Sequence, residues 1–368
     1  MDKENANPIT GQKRTGSALL YPLKKRASQT DPIVRYGKHF GRTISAVTDI
    51  VILIANGLDR LANIEEGTTA IENLPLEERR EHDIFLSLLK LVPKLDERLI
   101  DGTTEEVGHV SDMLQKGVNT ARADDTKGIK SAIIDWITPR DAPLNPPLAR
   151  NIKSDRGYHH ERTGQLLCPA AWNWADEETK KGLRSGELAV PGEHWPLFVY
   201  ENYTYDHEHP FNGLFKSAIL VSAYKHIFTS PSSVDHEPKA TRSGNARING
   251  MSEVTMASIA YVATQVRFAL SSTSTFSRTD YVTDSERFYN TVMLLFTDIR
   301  ARTRINDIKA WWDQKVFPGG SAAKVPVLTD TPLARIMAQL DAEAADAEAA
   351  AAAAASAEGS AQVGAAEA

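Results

Sequence analysis

The stretch that decides the fold is YKHIFTSPSSVDHEPKATRSGNARINGMSEVTMASIAYVATQVRFAL, residues Tyr224–Leu270. It places a loop of Ser, Thr, Pro, Gly, Asn, Lys and Arg between two apolar segments. In the second segment Ile259, Val262 and Val266 recur at helical spacing. We therefore predict two core helices joined by a polar connection, called the central loop (residues 229–247) below.

Helical spacing also covers much of the remaining chain. Apolar residues recur at steps of three and four through 33–64, which predicts one amphipathic helix whose first turns are weakened by Gly37 and Gly41. Polar residues typical of helix starts predict two further helices, beginning at Thr103 and at Asp124. The predicted fold is mainly α: a multi-helix globular body with an irregular aromatic-rich middle, at most a few short strands and disordered ends.

Composition divides the chain into successive parts. These are a disordered basic head (1–30), an N-terminal helical part (31–137), a Pro-rich strap (138–150), an aromatic and helical C-terminal part (151–320) and an Ala/Glu-rich tail (331–368). Four prolines within about nine residues exclude a helix in the strap. The dense aromatic residues of 151–212 indicate a layer packed over a core, with a ligand-stacking surface as the alternative.

Composition also limits the class of protein. The 368 residues are 42% hydrophobic, carry a net charge of -6 and include one cysteine, Cys168. A single cysteine excludes an intrachain disulfide framework and a Cys-rich zinc site, which fits a reducing compartment. The longest apolar run outside the Ala/Glu-rich tail, Ile50–Ala55, is far shorter than the ~20 residues of a membrane span. We expect an intracellular protein without a secretory signal and without a membrane partner.

The basic head contains two clusters of cationic residues separated by a short spacer. They are Lys13, Arg14, Lys24, Lys25 and Arg26. Clusters so spaced resemble a bipartite nuclear-import signal, with a spacer slightly shorter than usual. A solvated basic arm is an equally weighted alternative. The nucleus is therefore one expected location.

The central loop carries the clearest binding chemistry. Its cations, hydroxyls and flexible backbone could form a nest for a phosphate, and a helix start follows it. We predict contact with nucleic acid or with a phosphorylated partner. The favoured alternative is structural, because Ser, Gly and Asn are turn residues, and Arg242 and Arg247 could pin acidic helices. The predicted binding residues are Lys239, Arg242, Ser243, Asn245 and Arg247.

Catalytic chemistry is weakly represented. No nucleophile elbow, Walker A loop, dinucleotide fingerprint, kinase signature or strong metal spacing occurs. We predict no cofactor and no metal, and assign no catalytic residue. The preferred hypothesis is a non-enzymatic nuclear binding protein. An enzyme with a His/Cys/Arg pocket formed by 156–168 and 239–247 stays open, as does a scaffold that acts through protein contacts alone.

Several short runs together are distinctive. They are Arg156–Gly164, Leu167–Pro169, Tyr224–Ser233, Ala240–Ala246 and Thr283–Tyr289. With these runs the chain resembles a large uncharacterised family, a domain of unknown function, from mushroom-forming basidiomycete fungi. The resemblance covers roughly residues 33–318. It implies domain limits, and it implies no activity, cofactor or catalytic residue.

Overall fold

The computed structural model describes residues 32–68, 70–231, 234, 244–276, 284–318 and 339. In these ranges the chain forms twelve α-helices, several 3₁₀ turns and two isolated β-bridges, and no β-strand. The mainly α prediction is confirmed. The predicted head lies outside these ranges, and so does the tail except for residue 339.

The helices fall into two groups along the chain. The first group is α1 (Pro32–Thr43), α2 (Ile50–Glu65), α3 (Leu76–Leu91), α4 (Leu95–Ile100) and α5 (Thr104–Ile137). The second group is α6 (Glu161–Leu167), α7 (Glu177–Ser185), α8 (Ala218–Phe228), α9 (Asn245–Ile248), α10 (Met256–Leu270), α11 (Ser285–Thr297) and α12 (Arg302–Val316).

The long helix α5 takes part in two hydrophobic cores. It begins at a capping box, in which the Thr103 side chain and the Glu106 side chain each bond the other residue's backbone N–H. Leu114 and Val118 of its first half pack with α1–α4. Ile129 of its second half packs into the larger core with α6 and α8–α12. Since α5 has 34 residues, it extends about 50 Å and joins the two cores as one rod.

Two predicted helix boundaries are wrong. Asp124 does not start a helix, because it lies inside α5, where the neighbouring Asp125 is held by Arg42 from α1. Conversely, the segment 33–64 is two helices, α1 and α2, instead of one. The break has a local cause: the Asp49 side chain accepts two backbone N–H bonds from the first turn of α2.

Helices α1 and α5 pack with their backbones in contact. A Cβ atom at Gly37 would lie 2.2 Å from the Leu114 carbonyl oxygen, and one at Gly117 would lie 2.3 Å from the Val34 carbonyl oxygen. Glycine at position 37 weakens an isolated helix, but here the missing side chain allows the two helices to approach. The glycines of α1 are therefore explained by tertiary packing.

Helix α10 lies at the centre of the larger core. Every residue from Ala257 to Leu270 is buried, and α1, α5, α6, α8 and α11 pack around it. The helix begins where the Thr255 hydroxyl accepts a bond from the Ser258 N–H at 3.1 Å and donates to the Thr43 carbonyl at 2.7 Å. The single apolar stripe predicted from the sequence is thus one part of a helix that is buried on all sides.

A buried arginine ties the segment after α5 to the larger core. No helix runs through residues 138–156. The Arg156 guanidinium, 0% exposed, donates to the carbonyl oxygens of Ala269 (2.8 Å), Lys130 (2.9 Å) and Arg150 (3.1 Å), among others. Burial lowers the pKa of Arg156 to about 10. The acceptors are carbonyl dipoles, so Arg156 holds three separate pieces of backbone together.

The aromatic-rich middle packs against the larger core. Buried Phe198 and Tyr200 belong to this core, and the Trp195 ring lies 5.4 Å from the ring of Phe215. Residues 195–203 form two 3₁₀ turns and no strand, and isolated β-bridges connect this segment to its neighbours. This layer positions the N-terminal end of α8, which borders the groove described next.

Candidate functional site

A groove between α5 and α8 adjoins the start of the central loop. Its volume is about 420 Å³, within the range of small-ligand sites. Pro231 and Val234 of the central loop line part of it. Its polar and charged side chains are those of Ser131, Asp135, Arg150, Ser222 and His226.

His226 projects from α8 toward α5. Its ring packs edge-on against Trp136, with 5.5 Å between ring centroids. A Cβ atom at Gly128 would lie 2.9 Å from Nε2, so the glycine makes room for the imidazole. Burial lowers the pKa of His226, and the Asp125 carboxylate acts in the opposite direction. A neutral imidazole offers one hydrogen-bond donor and one acceptor.

The rim of the groove carries a replaceable ion pair. Arg150 Nη2 lies 2.7 Å from Asp135 Oδ1, and more than half of each side chain is exposed. Exposed pairs of this kind contribute about 0–1 kcal/mol, so an anionic ligand can compete with Asp135 for the guanidinium. No hydrogen bond joins the Ser222 hydroxyl to the His226 ring, although both residues are described. The groove therefore has the groups to bind a polar ligand, and its described residues include no activated serine.

Both ends of the central loop meet at the end of α8. A Cβ atom at Gly244 would lie 1.6 Å from the Thr229 carbonyl oxygen, so the two backbones are in contact there. Asn245 Nδ2 donates to the Ile227 carbonyl at 2.5 Å. Arg247 in α9 is exposed, and no salt bridge joins it to a carboxylate of the described residues. The described residues on the two sides of the central loop thus lie next to each other at the end of α8.

Only two of the five predicted binding residues lie in the described ranges. Asn245 and Arg247 lie in the described ranges, whereas Lys239, Arg242 and Ser243 lie outside them. The import residues Lys13, Arg14, Lys24, Lys25 and Arg26 also lie outside. His226 lines the groove and Arg247 does not, so the structure does not bring these two side chains into one concave site.

The alternative in which Arg242 and Arg247 pin acidic helices can be compared with the structure only at Arg247, because Arg242 lies outside the described ranges. The Asp284 carboxylate, at the start of α11, accepts a hydrogen bond from the Gly192 N–H at 3.0 Å. Arg267, on α10, is buried, donates to the Val190 carbonyl at 3.3 Å and lies over the Phe288 ring. The pinning alternative thus finds no support at Arg247, since the described part of the chain shows no salt bridge from it.

Cys168 and His160 of the alternative catalytic pocket are buried, whereas residues 239–243 of that pocket lie outside the described ranges. Cys168 packs in a small core of its own, and burial raises the pKa of its thiol to about 11, which keeps it protonated. His160 Nε2 lies 2.8 Å from the Pro146 carbonyl oxygen, and its Nδ1 accepts from the Arg162 N–H. With both ring nitrogens of His160 engaged and the thiol protonated, the described residues give no support to a nucleophilic pair of Cys168 and His160.

Two features of the described ranges bear on metal binding and on membrane insertion. Among the described residues, no group of three or more His, Cys, Asp or Glu side chains is placed to hold a metal ion. The His209 ring lies 3.2 Å from the Asp206 carboxylate on the surface. Within these ranges no helix is at once long and apolar enough to cross a membrane.

Most residues of the groove were not predicted. Ser131, Asp135 and Arg150 come from segments that the sequence indicates only as scaffold and strap. One signal is present in the sequence: Gly128, Ser131 and Asp135 are spaced three and four residues apart, which places them on one face of α5. The sequence does not show that this face of α5 is a groove wall, because the groove is formed only when α8 lies opposite it.

The chain belongs to a family of unknown function, DUF6698, whose model matches residues 116–317, more than half of the chain. The match begins inside α5 and ends just after α12, so it includes the groove and the central loop. It does not include α1–α4, which the resemblance from short runs also covered. No curated protein and no solved structure matches the chain.

Proposed function

We propose that the protein is a non-enzymatic binding protein that contacts nucleic acid or a phosphorylated partner through the central loop. The observation that carries this proposal is the closed base of the loop. Gly244 lies against Thr229, and Asn245 bonds the Ile227 carbonyl, while Arg247 is exposed beside them. A loop anchored at both ends loses less conformational freedom on binding than a free chain does.

The chemistry of the loop favours phosphate. Arginine presents a planar fork of donors that matches two phosphate oxygens, and lysine adds a point charge. The loop contains Arg242 and Lys239 in addition to Arg247, together with Ser243 and Asn245 as further donors. The adjoining groove extends this surface, because Arg150 at its rim can exchange Asp135 for an anion.

Nuclear location is part of the same proposal. The cationic clusters at 13–14 and 24–26 would act as the import signal. A fluorescent fusion of the full chain should accumulate in nuclei, and replacing Lys24, Lys25 and Arg26 by alanine should abolish the accumulation. Equal distribution of both fusions would contradict it.

We also propose an origin in mushroom-forming basidiomycete fungi, which rests on the short sequence runs alone. The runs Tyr224–Ser233 and Ala240–Ala246 are the most distinctive. Their joint occurrence in genomes outside that group of fungi would refute the restriction.

The binding proposal is tested by charge reversal in the loop. The variant is Arg242→Glu with Arg247→Glu, and the matched control is Lys90→Glu with Lys181→Glu, two exposed helical lysines. Binding of fluorescent single-stranded and duplex oligonucleotides and of phosphoserine peptides is measured by anisotropy between 50 and 200 mM salt. The loop variant should lose at least about tenfold in affinity, with a shallower salt dependence, because phosphate contacts release counterions.

Two outcomes decide against the proposal. If the wild-type chain binds none of these ligands at low salt, the phosphate-binding function is wrong. If the loop variant and the control bind equally well, the central loop is not the contact surface. A protein partner that binds the loop variant as tightly as wild type would instead support a scaffold.

A further inference from the structure

A second groove lies on another face of α5, beside the end of α10. Its volume is about 350 Å³, and it is lined from α5, from the end of α10 and from the segment after α10. No carboxylate lines it among the residues that the structure describes. The side chains with distinctive chemistry are those of Arg122, Lys127, Lys130, Phe268 and Phe276.

Two aromatic rings form one wall of this groove. The rings of Phe268 and Phe276 meet edge to face, with 5.1 Å between centroids. Phe268 is buried and fixes the position of Phe276, which is only partly buried. The Arg122 guanidinium lies over the Phe276 ring at 5.4 Å. Phe276 is therefore a supported aromatic surface at the edge of a cavity.

Lysines stand on the α5 side of the groove. Lys127 is exposed, and no salt bridge joins it to a carboxylate in the described ranges. Lys130 is half-buried, and its Nζ donates to the Asn151 carbonyl at 3.2 Å. The two lysines are three residues apart, so they share one face of the helix. Positive charge and the aromatic wall thus line the same groove.

We infer that this groove binds a nucleotide unit of single-stranded nucleic acid, with the base against Phe276 and the phosphates beside Lys127 and Lys130. Aromatic rings combined with cations are the usual means of holding single strands without sequence selection. A duplex keeps its bases stacked and cannot offer one to Phe276. A phosphopeptide would contact the two lysines through its phosphate, and it has no base to stack on the Phe276 ring.

The inference rests on the proposed function and makes it more specific. Of the two proposed partners, nucleic acid and a phosphorylated protein, it selects nucleic acid. The groove and the central loop have no residue in common. Loss of one surface can therefore be distinguished from loss of the other by separate variants.

The test uses the full chain with fluorescent 12-residue oligo(dT), oligo(U) and a duplex of equal length. The main variant is Phe276→Leu, which removes the ring and keeps every charge. Affinity for the single strands should fall about five- to 150-fold, since stacking on one aromatic residue contributes about 1–3 kcal/mol per base. Weak duplex binding should be unchanged. Circular dichroism melting checks that the variant is folded.

A second variant separates the lysines from general electrostatic attraction. Lys127→Gln with Lys130→Gln should weaken single-strand binding at least about tenfold and reduce its salt dependence. The control, Lys90→Gln with Lys181→Gln, removes the same charge elsewhere on the surface and should change the affinity less than twofold.

The results discriminate between the two surfaces. If Phe276→Leu binds single strands as wild type does, the groove inference is overturned, whatever the loop variant does. If only the groove variants lose binding, the groove is supported and the loop proposal fails. If the chain binds phosphopeptides and no oligonucleotide, the groove inference fails and the loop proposal stands in its phosphoprotein form.

Discussion

Arg42 and Asp125 form a buried two-point ion pair between α1 and α5. Nε and Nη2 of the guanidinium lie 2.7 Å from Oδ2 and Oδ1 of the carboxylate, and the residues are 5% and 7% exposed. The Tyr261 hydroxyl, from α10, donates to the same carboxylate at 2.7 Å. Burial and the Asp125 charge together raise the pKa of Tyr261 well above its usual value. Three helices from the two cores thus share one acid.

Removal of one partner of this pair should be costly. We expect Asp125→Asn to lower the free energy of unfolding by about 3–5 kcal/mol, because Arg42 then keeps a buried charge without a counterion. The adjacent Asp124 provides a matched control. It pairs with Lys38 at 3.2 Å on the surface, with 62% of its side chain exposed, so Asp124→Asn should cost less than about 1 kcal/mol. Urea denaturation measures the free energy of unfolding of both variants. An equal decrease in the two variants would show that the buried pair does not stabilise the fold.

Arg156 should be irreplaceable by lysine. An ammonium group cannot reach carbonyls in three directions as the guanidinium does, so we expect Arg156→Lys to cost about 2–4 kcal/mol. Arg150→Lys, at the exposed rim pair, should cost less than about 0.5 kcal/mol. Chemical denaturation compares the two. A small effect at Arg156 would mean that water replaces the lost bonds.

Stability should fall between pH 7 and pH 4 partly because of His39. Burial, followed by the charges of Arg42 and Arg35, lowers the pKa of His39 from 6.5 to about 4. The unfolded chain therefore binds a proton in this window that the folded chain does not, and acid favours unfolding. The contribution lost by pH 4.5 is about 2–3 kcal/mol. His39→Asn should flatten the dependence of the urea midpoint on pH, and an unchanged slope would contradict the assignment.

Two glycines in helices should respond to alanine in opposite directions. Gly37→Ala should destabilise by at least about 2 kcal/mol, because the new Cβ meets the Leu114 carbonyl oxygen at 2.2 Å and must separate α1 from α5. Gly108→Ala has no atom within 4 Å of its Cβ and should stabilise α5 by about 0.5–1 kcal/mol. Thermal melting measures whether each variant is less or more stable than the wild-type chain. If Gly37→Ala left the stability unchanged, α1 would be able to move away from α5 without a loss of stability.

Local chemistry made some of the fold predictable. The Thr103–Glu106 box, the apolar spacing of α8 and α10, and the four prolines after α5 act over a few residues. Of the two wrong helix boundaries, the one at Asp124 involves a contact that is distant in the chain. Asp124 resembles a helix start, yet it lies inside α5, where its neighbour Asp125 pairs with Arg42, 83 positions earlier in the chain. Cys168 lies between apolar neighbours in the sequence and is buried in the structure, where burial raises the pKa of its thiol.

The stretch Tyr224–Leu270 separates what the sequence determines from what only the tertiary structure decides. Its sequence alone determined two apolar helical segments and a polar, cationic connection, because periodicity and turn residues are local properties. Only the tertiary structure decided that α10 is buried on all sides, that Gly244 closes the loop base, and that His226 faces a groove. Each of these depends on which helix lies opposite. No spacing within one segment encodes the position of its neighbour.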